Sequence, residues 1–353
     1  MAERVLMKGN EALAEAAIAA GCRLFFGYPI TPQNEVVAHM SKRMPQVDGL
    51  CLQAESEVAA INMVLGASAT GKRVMTSSSS PGISLKGEGI SYIAGSDVPC
   101  VIINIQRGGP GLGGIQPSQA DYFQATKATG HGDFRILVYA PSTIQEMVDY
   151  TIKAFDKADE YRMPVMILAD GMLGQMMEPV SLSASSASPV QKDWALTGHN
   201  HKRPQNIVNS LFLQAAILEE KVQERYKKYD QIKETEAAAE CINTDDAELT
   251  IVAYGASARV ATSAMNLARE EGLKVGLIRP ITLWPFPSKI IQEQAKKTKR
   301  FMVVEMSMGQ MVEDVRLALE GSKPIDFYGR TGGIVPTPAE VLAKIKEVMG
   351  GAK

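Results

Sequence analysis

The chain has 353 residues, 45% hydrophobic and 22% charged, with a formal net charge of −2. That length can bury a large core and reads as two domains, while the near-neutral charge gives no electrostatic case for nucleic acid or an anionic membrane as partner. Apolar stretches are broken by charge or proline well short of a membrane span. Residues 1–9 lack an apolar core of signal-peptide length, so the reading is a cytoplasmic protein.

An alanine-rich helix is predicted over 11–20, stopped by Gly21. The strand-like run 23–26 leads into Gly27-Tyr28-Pro29-Ile30-Thr31-Pro32. A residue before proline is pushed out of the helical region, so Tyr28 and Thr31 are expected to be extended. Pro32 can open the next helix, because its missing N–H is one the first turn leaves unpaired. Thr31 then stands between strand end and helix start, either as a seat for an anionic ligand or as the helix cap; the block alone leaves both open. Strand-like runs at 73–76, 101–106, 135–138 and 165–169 follow, with helical patterns at 57–67 and 143–158. This alternation predicts an α/β fold, a mostly parallel sheet with helices on both faces. Ligands bind such sheets outside the carboxyl ends of the strands. Tyr28 to Thr31, Ser77 to Pro81, and Arg107 with its glycines are expected there.

Residues 179–189, rich in Ser, Ala and Pro, read as a surface linker. The charged stretch 211–240 reads as a helical arm, solvated or facing another subunit. A second alternating unit begins at 248, with strands at 249–254, 274–278 and 300–305, helices at 258–271 and 308–319, and a proline-rich turn at 279–287. The expected organisation is therefore 1–178, a linker and arm over 179–247, and a smaller α/β domain over 248–353. Cys22, Cys51, Cys100 and Cys241 lie in or beside apolar segments, where buried cysteine is common. Their spacing, and that of the four histidines, suggests no metal site, cluster or disulfide framework.

Two residues carry chemistry. Glu57 opens a helix of small and apolar residues, where the helix dipole stabilises a carboxylate. Meeting an aromatic nitrogen in a dry crevice, it could share a proton with that base; equally, Glu55 or Glu57 could merely decorate the first turn. Arg107 follows the buried-strand run 101–106 and precedes Gly108-Gly109-Pro110-Gly111-Leu112-Gly113-Gly114. A guanidinium there can grip a carboxylate with two parallel hydrogen bonds, or pair with a surface acid. The glycines allow close backbone approach or loop movement, but no phosphate-loop ending or dinucleotide fingerprint accompanies them.

Taken in order, Tyr28-Pro29-Ile30-Thr31-Pro32, the Glu-x-x-Ala helix at Glu57, Ser79-Ser80-Pro81-Gly82-Ile83-Ser84-Leu85, Gln106-Arg107-Gly108-Gly109-Pro110, His131-Gly132-Asp133-Phe134 and Val304-Glu305-Met306-Ser307-Met308-Gly309-Gln310 resemble the α subunit of 2-oxoacid:ferredoxin oxidoreductases. The likeness is greatest to the branched-chain type, which acts on 3-methyl-2-oxobutanoate, with the 2-oxoglutarate enzymes as near relatives. It implies a pyrimidine-binding thiamine diphosphate domain followed by a transketolase C-terminal-like domain. It further implies that Glu57 bonds the cofactor's aminopyrimidine, with Tyr28, Pro29 and Ile30 lining the cofactor, while Thr31 and Arg107 hold the 2-oxoacid. Carbon dioxide leaves, electrons pass to iron–sulfur clusters and the acyl group passes to coenzyme A. Ser78 and Ser79 depart from the Ser-Gly that usually precedes Pro-Gly in the family.

The diphosphate end of a thiamine site needs Gly-Asp-Gly with a downstream Asn, both on magnesium. Ala169-Asp170-Gly171 with Asn200 imitates this, but the Ser/Pro linker intervenes and the match is read as coincidence. The chain is thus expected to hold half an active site. A β subunit would bring the diphosphate and Mg2+, and an iron–sulfur ferredoxin-like subunit, with or without a γ subunit, would bring the clusters. Two other classes stay open: a self-contained transketolase-like thiamine enzyme, and a non-catalytic scaffold or sensor. A buried cation would mark 2-oxoglutarate as substrate, but the sequence cannot place one.

Overall fold

A computed structural model describes residues 4–182 and 190–350. In chain order the first elements are β1 (Val5–Lys8), α1 (Gly9–Ala19), β2 (Leu24–Gly27), α2 (Asn34–Arg43), β3 (Leu50–Gln53), α3 (Glu57–Ala69), β4 (Val74–Ser78) and α4 (Ser80–Gly95). There follow β5 (Cys100–Gln106), α5 (Tyr122–Thr126), β6 (Leu137–Tyr139), α6 (Ile144–Tyr161), β7 (Pro164–Asp170), α7 (Gly171–Gln175) and β8 (Met177–Val180). The described residues 190–214 form an irregular strap, and after it come α8 (Ala215–Thr235), β9 (Ala239–Ile242), β10 (Leu249–Val252), α9 (Gly255–Glu270), β11 (Val275–Pro280) and β12 (Thr282–Trp284). The chain ends with α10 (Ser288–Ala295), β13 (Arg300–Glu305), α11 (Met311–Leu319), β14 (Ile325–Gly329) and α12 (Pro338–Gly350).

A seven-stranded sheet runs β12-β6-β7-β5-β4-β2-β3. It is parallel except at β12, which pairs antiparallel with β6. Its central strands β4, β5 and β7 are buried along their whole length, as their continuous apolar runs require of strands covered on both faces. Helices α1, α2 and α6 pack together as one layer, and α3 with α4 as another. The second sheet, β14-β13-β10-β11-β9, is parallel except for β9.

Three expectations need correction. The proline-rich segment 279–287 is not only a turn: β12 leaves the second unit and completes the edge of the first sheet, with Thr282 and Leu283 buried. The stretch from 179 does not begin as linker, since Pro179 and Val180 belong to β8 and pair with Leu6 and Val5; residues 183–189 lie outside the described part. Cys241, read as lying in or beside an apolar segment where buried cysteine is common, is exposed on β9 at an edge of the second sheet. The charged arm does form a helix, α8, which buries only Arg225, Tyr229 and Ile232. Among the described residues, no helix is long and apolar enough to cross a membrane.

One buried amide ties the two sheets together. Gln119 donates from Nε2 to the Tyr254 carbonyl at 2.8 Å, and its Oε1 accepts from Ser257 Oγ at 2.6 Å and from the Met306 amide at 3.0 Å. The segment 304–310 supplies the other half of this joint. Glu305, fully buried, accepts the amides of Gln310, Met311 and Val312 and the Ser307 hydroxyl, which fixes the start of α11. Burial raises its pKa.

Candidate active site

Strands β2, β4 and β5 are neighbours and parallel, so Gly27, Ser78 and Gln106 end at one edge of the sheet. The segments leaving that edge carry nearly every residue singled out above.

After β2 the chain turns at Thr31–Pro32, and α2 starts only at Asn34, with Gln33 at the N-cap position but no side-chain cap bond. Thr31 is therefore not the helix cap, and Pro32 does not open the helix. Gln33 turns inward instead, where its amide donates to the Tyr28 carbonyl at 3.3 Å and accepts from Ser77 Oγ at 2.6 Å. The turn is held from outside: the Pro32 carbonyl accepts from Asn10 Nδ2 at 2.8 Å and from Gln175 Nε2 at 3.2 Å. Pro29 is left exposed, while Tyr28, Ile30 and Thr31 are half-buried.

Glu57 is the first residue of α3, whose start is fixed by Ser56, the hydroxyl of which accepts the Ala59 amide at 3.1 Å. Its side chain is only 7% exposed, whereas that of Glu55 points to solvent. The carboxylate lies against Gly82 in the first turn of α4: a Cβ placed there would sit 2.8 Å from Glu57 Oε1 and 2.1 Å from Ser78 Oγ. Glycine is thus needed for the carboxylate to approach the helix backbone so closely. The Ser78 and Ser79 hydroxyls beside it are buried and have no hydrogen-bond partner. Such groups are uncommon in a folded chain and call for an explanation.

On the other side of the same helix start lies Arg107. The Ser80 hydroxyl bonds both the Arg107 amide and Asp121 Oδ2, at 3.1 and 2.6 Å. The guanidinium donates to the Thr31 carbonyl at 2.9 Å and the Leu112 carbonyl at 3.3 Å. Its Nε is buried and unpartnered. The structure therefore joins Arg107 to Thr31 through the threonine's backbone and closes the glycine loop over the arginine. An arginine with five donors retains capacity after two bonds, and it has no acidic partner among the salt bridges of the described residues. Asp121, held by Ser80 and by Asn104 Nδ2 at 2.9 Å, keeps a raised pKa because burial outweighs those bonds and the Arg107 charge.

Sequence reasoning missed Asp121 and Lys86. Lys86 is wholly buried on α4, with Nζ donating to Thr76 Oγ1 and the Ser77 carbonyl, both at 2.9 Å. Neither was signalled: Lys86 stands among small and apolar residues, but the helix that buries it, with Pro81 and its glycines, does not announce itself as one. Asp170 is engaged elsewhere, because its carboxylate accepts the Met172 and Leu173 amides at 2.9 and 3.2 Å and caps α7. Asn200 is exposed on the strap. Among the described residues no cluster of three or more His, Cys, Asp or Glu could hold a metal ion. A concavity of about 770 Å³ beside α8, lined by Asp97, Arg162, Arg225 and Lys228, includes none of the residues above.

Residues 15–244 match the thiamine diphosphate-binding domain of the pyruvate flavodoxin/ferredoxin oxidoreductases, and 247–341 match core domain II of pyruvate:ferredoxin oxidoreductase. The chain is 50% identical over 346 residues to the ketoisovalerate oxidoreductase subunit VorB of Methanothermobacter thermautotrophicus, covering 98% of each. It is 34% identical to the 2-oxoglutarate synthase subunit KorA of Methanothermobacter marburgensis, covering 98% of this chain and 99% of that one. Among solved structures it superposes on a 2-oxoglutarate:ferredoxin oxidoreductase from Magnetococcus marinus, with TM-score 0.85 and 27% identity. That match covers 98% of this chain but only 65% of the other. A split-gene transketolase, 15% identical with TM-score 0.61, shares the fold. On these matches the chain belongs to the 2-oxoacid:ferredoxin oxidoreductases, as a thiamine diphosphate-type enzyme subunit similar to VorB.

Proposed function

We propose that the chain is the α subunit of an enzyme that oxidatively decarboxylates 3-methyl-2-oxobutanoate to an acyl-CoA and CO2 with ferredoxin as acceptor. On this reading it contributes the aminopyrimidine half of a shared active site. The observation that carries the reading is the convergence, on the first turn of α4, of a buried carboxylate, two unpartnered hydroxyls and a guanidinium with an unbonded Nε. A polar heterocycle satisfies such groups, and the bare Gly82 lets Glu57 reach it, so the residues fit this end of thiamine diphosphate.

When bound, thiamine diphosphate supplies the electron sink that lets the substrate lose carbon dioxide. Glu57 would hold the proton shared with the ring nitrogen N1′, at the dipole-positive end of α3. Tyr28, Pro29 and Ile30 would line the ring. Arg107 would orient the substrate carboxylate through Nε and its remaining donors, and Thr31, held in place by that arginine, would add its hydroxyl. A β subunit would carry the diphosphate and Mg2+, and iron–sulfur subunits the electrons.

The greater identity to a ketoisovalerate oxidoreductase subunit than to a 2-oxoglutarate synthase subunit supports the branched-chain substrate. Lys86 is a buried cation, but it is enclosed and bonded to β4. It therefore does not serve as the mark of a second substrate carboxylate. The test is reconstitution with the partner subunits, followed by viologen reduction with a panel of 2-oxoacids and coenzyme A. Glu57→Gln and Arg107→Ala should each lose most turnover. Preference for 2-oxoglutarate would overturn the substrate, reduction by this chain alone would favour a self-contained enzyme, and unimpaired variants would leave a scaffold.

A further inference from the structure

The excursion from Arg107 to Asp121 leaves the end of β5 and returns to it. Its top, the glycine run with Leu112, is exposed. Its base is stitched shut: the Gly108 amide donates to the Gln116 carbonyl at 3.0 Å, and the Asp121 amide donates to Gln106 Oε1 at 3.1 Å. Beside that base Ser80, Asn104 and Asp121 form a closed ring. Ser80 Oγ and Asn104 Nδ2 both donate to one oxygen, Asp121 Oδ2, at 2.6 and 2.9 Å, and Asn104 Oδ1 accepts the Ser80 amide at 3.2 Å. The ring reaches the site through the main chain of Arg107, whose amide donates to Ser80 Oγ at 3.1 Å. The hydroxyl has a single proton, and with Asp121 at 2.6 Å none is left for the Arg107 carbonyl at 3.3 Å. Burying a carboxyl costs free energy that an apolar side chain would not, so what the ring secures is direction.

We propose that Asp121 is a positioning residue for the 2-oxoacid: by holding Ser80 it fixes the backbone from which the Arg107 guanidinium is aimed, and so sets the grip on the substrate carboxylate. The proposal rests on reading Arg107 as the substrate anchor. Of the two carbonyls that hold the guanidinium, that of Leu112 belongs to the exposed top of the loop, so the amide end is the better-fixed reference. Both donors fall on one oxygen of Asp121, so the role requires an acceptor at that point and not a charge. The second unit seats it. Gln119 donates its amide to the Met306 carbonyl at 2.9 Å, and Gln310 brackets Asp121, with Nε2 donating to the Ala120 carbonyl and Oε1 accepting the Phe123 amide, both at 2.8 Å. The segment 304–310 thus bears on the site through Asp121.

Steady-state viologen reduction by the reconstituted complex, with 3-methyl-2-oxobutanoate, tests the role. Asp121→Ala should raise KM about tenfold, short of the roughly 100-fold that a displacement of about 1 Å can cost. Its kcat should fall by less than about threefold; a purely structural loss would lower kcat through the active fraction and leave KM in place. Asp121→Asn, whose side-chain oxygen can take the same two bonds, should bring KM back to within about threefold of wild type. Where Arg107→Ala leaves no guanidinium to aim, adding Asp121→Ala should lower the residual kcat/KM by less than about twofold. Ser80→Ala, which cuts the link to the Arg107 amide, should raise KM as Asp121→Ala does, and it decides the matter if that variant does not assemble. Wild-type KM in these two alanine variants, failure of both to assemble, an Asn variant as impaired as the alanine, or a full further loss beside Arg107→Ala overturns the proposal. If Arg107→Ala itself leaves kcat/KM at the wild-type value, the anchor reading fails; if it lowers kcat/KM while Asp121→Ala leaves KM unchanged, only the role of Asp121 falls.

Discussion

Gly82 is where a single methyl group tests the site most directly. In an ordinary helix interior, Gly→Ala stabilises by about 1 kcal/mol. At Gly82 the new Cβ would stand 2.1 Å from Ser78 Oγ and 2.8 Å from Glu57 Oε1, where ordinary contact begins at 3.4 Å. The neighbours must yield by roughly 1 Å, and overpacking of this kind costs about 1–3 kcal/mol. The helix gain offsets part of that, so the melting temperature should fall by only a few degrees, at about 2–4 °C per kcal/mol. Turnover should suffer far more, because a displacement of about 1 Å in a positioned group can reduce rate on the order of 100-fold. Gly66, exposed in α3 with no atom within 4 Å of its would-be Cβ, is the control. Gly66→Ala should raise the melting temperature and leave viologen reduction unchanged. A Gly82→Ala complex with wild-type turnover on 3-methyl-2-oxobutanoate would refute the placement of Glu57 at the reacting end of the cofactor.

Three more outcomes follow from named contacts. Arg107→Lys keeps the charge but loses the planar fork and the hold on Thr31 and Leu112, so KM for the 2-oxoacid should rise by about 10–100-fold, from about 1.5–3 kcal/mol of charged hydrogen bonding; steady-state kinetics with wild-type KM would speak against it. Burial raises the pKa of Asp170 from 3.8 to about 6, against the bonds from Leu173 and Met172. Its protonated form is thus favoured by the fold, and the stability it contributes is full below about pH 4 and lost as pH rises through 6, by about 3 kcal/mol at most. Asp170→Asn should flatten that slope in denaturation midpoints measured from pH 4 to 7. Gln119→Ala removes the partners of the Tyr254 carbonyl, the Ser257 hydroxyl and the Met306 amide at once. At about 1–3 kcal/mol for each buried orphan, thermal unfolding should show one of the larger losses available to a single substitution.

The central strands were legible because a strand covered on both faces must be apolar throughout: the run 101–106 became β5 and 165–169 became β7. Helix α4 was not legible. Its 16 residues contain Pro81 and glycines at 82, 87, 89 and 95, which by local propensity read as loop. Packing reverses that preference. A Cβ at Gly89 would strike Ile61 Cγ2 at 2.4 Å, and one at Gly87 would meet the Thr129 carbonyl at 2.9 Å. The glycines are therefore what lets α3 and the following loop close on α4. For β12 the reason is different, since its three residues lie between Pro280 and Pro285 and find their partner in β6, more than 140 positions earlier. No local pattern encodes such a pairing. The site divides in the same way. Glu57 and Arg107 announce themselves by standing at the start of a helix and the end of a strand, whereas Lys86 and Asp121 matter through burial, which only the assembled fold decides.

The surroundings of the site bear on what completes it. The loop over Arg107 carries Leu112 and Ile115 at 84% and 58% exposure, and Val58 and Leu85 stand 45% and 54% exposed on the two helices that frame Glu57. Single exposed aliphatic residues are unremarkable, but these four flank one group of unpartnered buried donors and hydroxyls. A small ligand seated against Glu57 and Arg107 would leave them in water. A second polypeptide closing over the ligand would cover them and exclude water from the shared proton, strengthening each electrostatic contact inside. Asp170 points the same way. The carboxylate that imitates a magnesium ligand in the sequence is fixed as a helix cap by two backbone amides, so on this reading the diphosphate end must come from the surface that covers those residues.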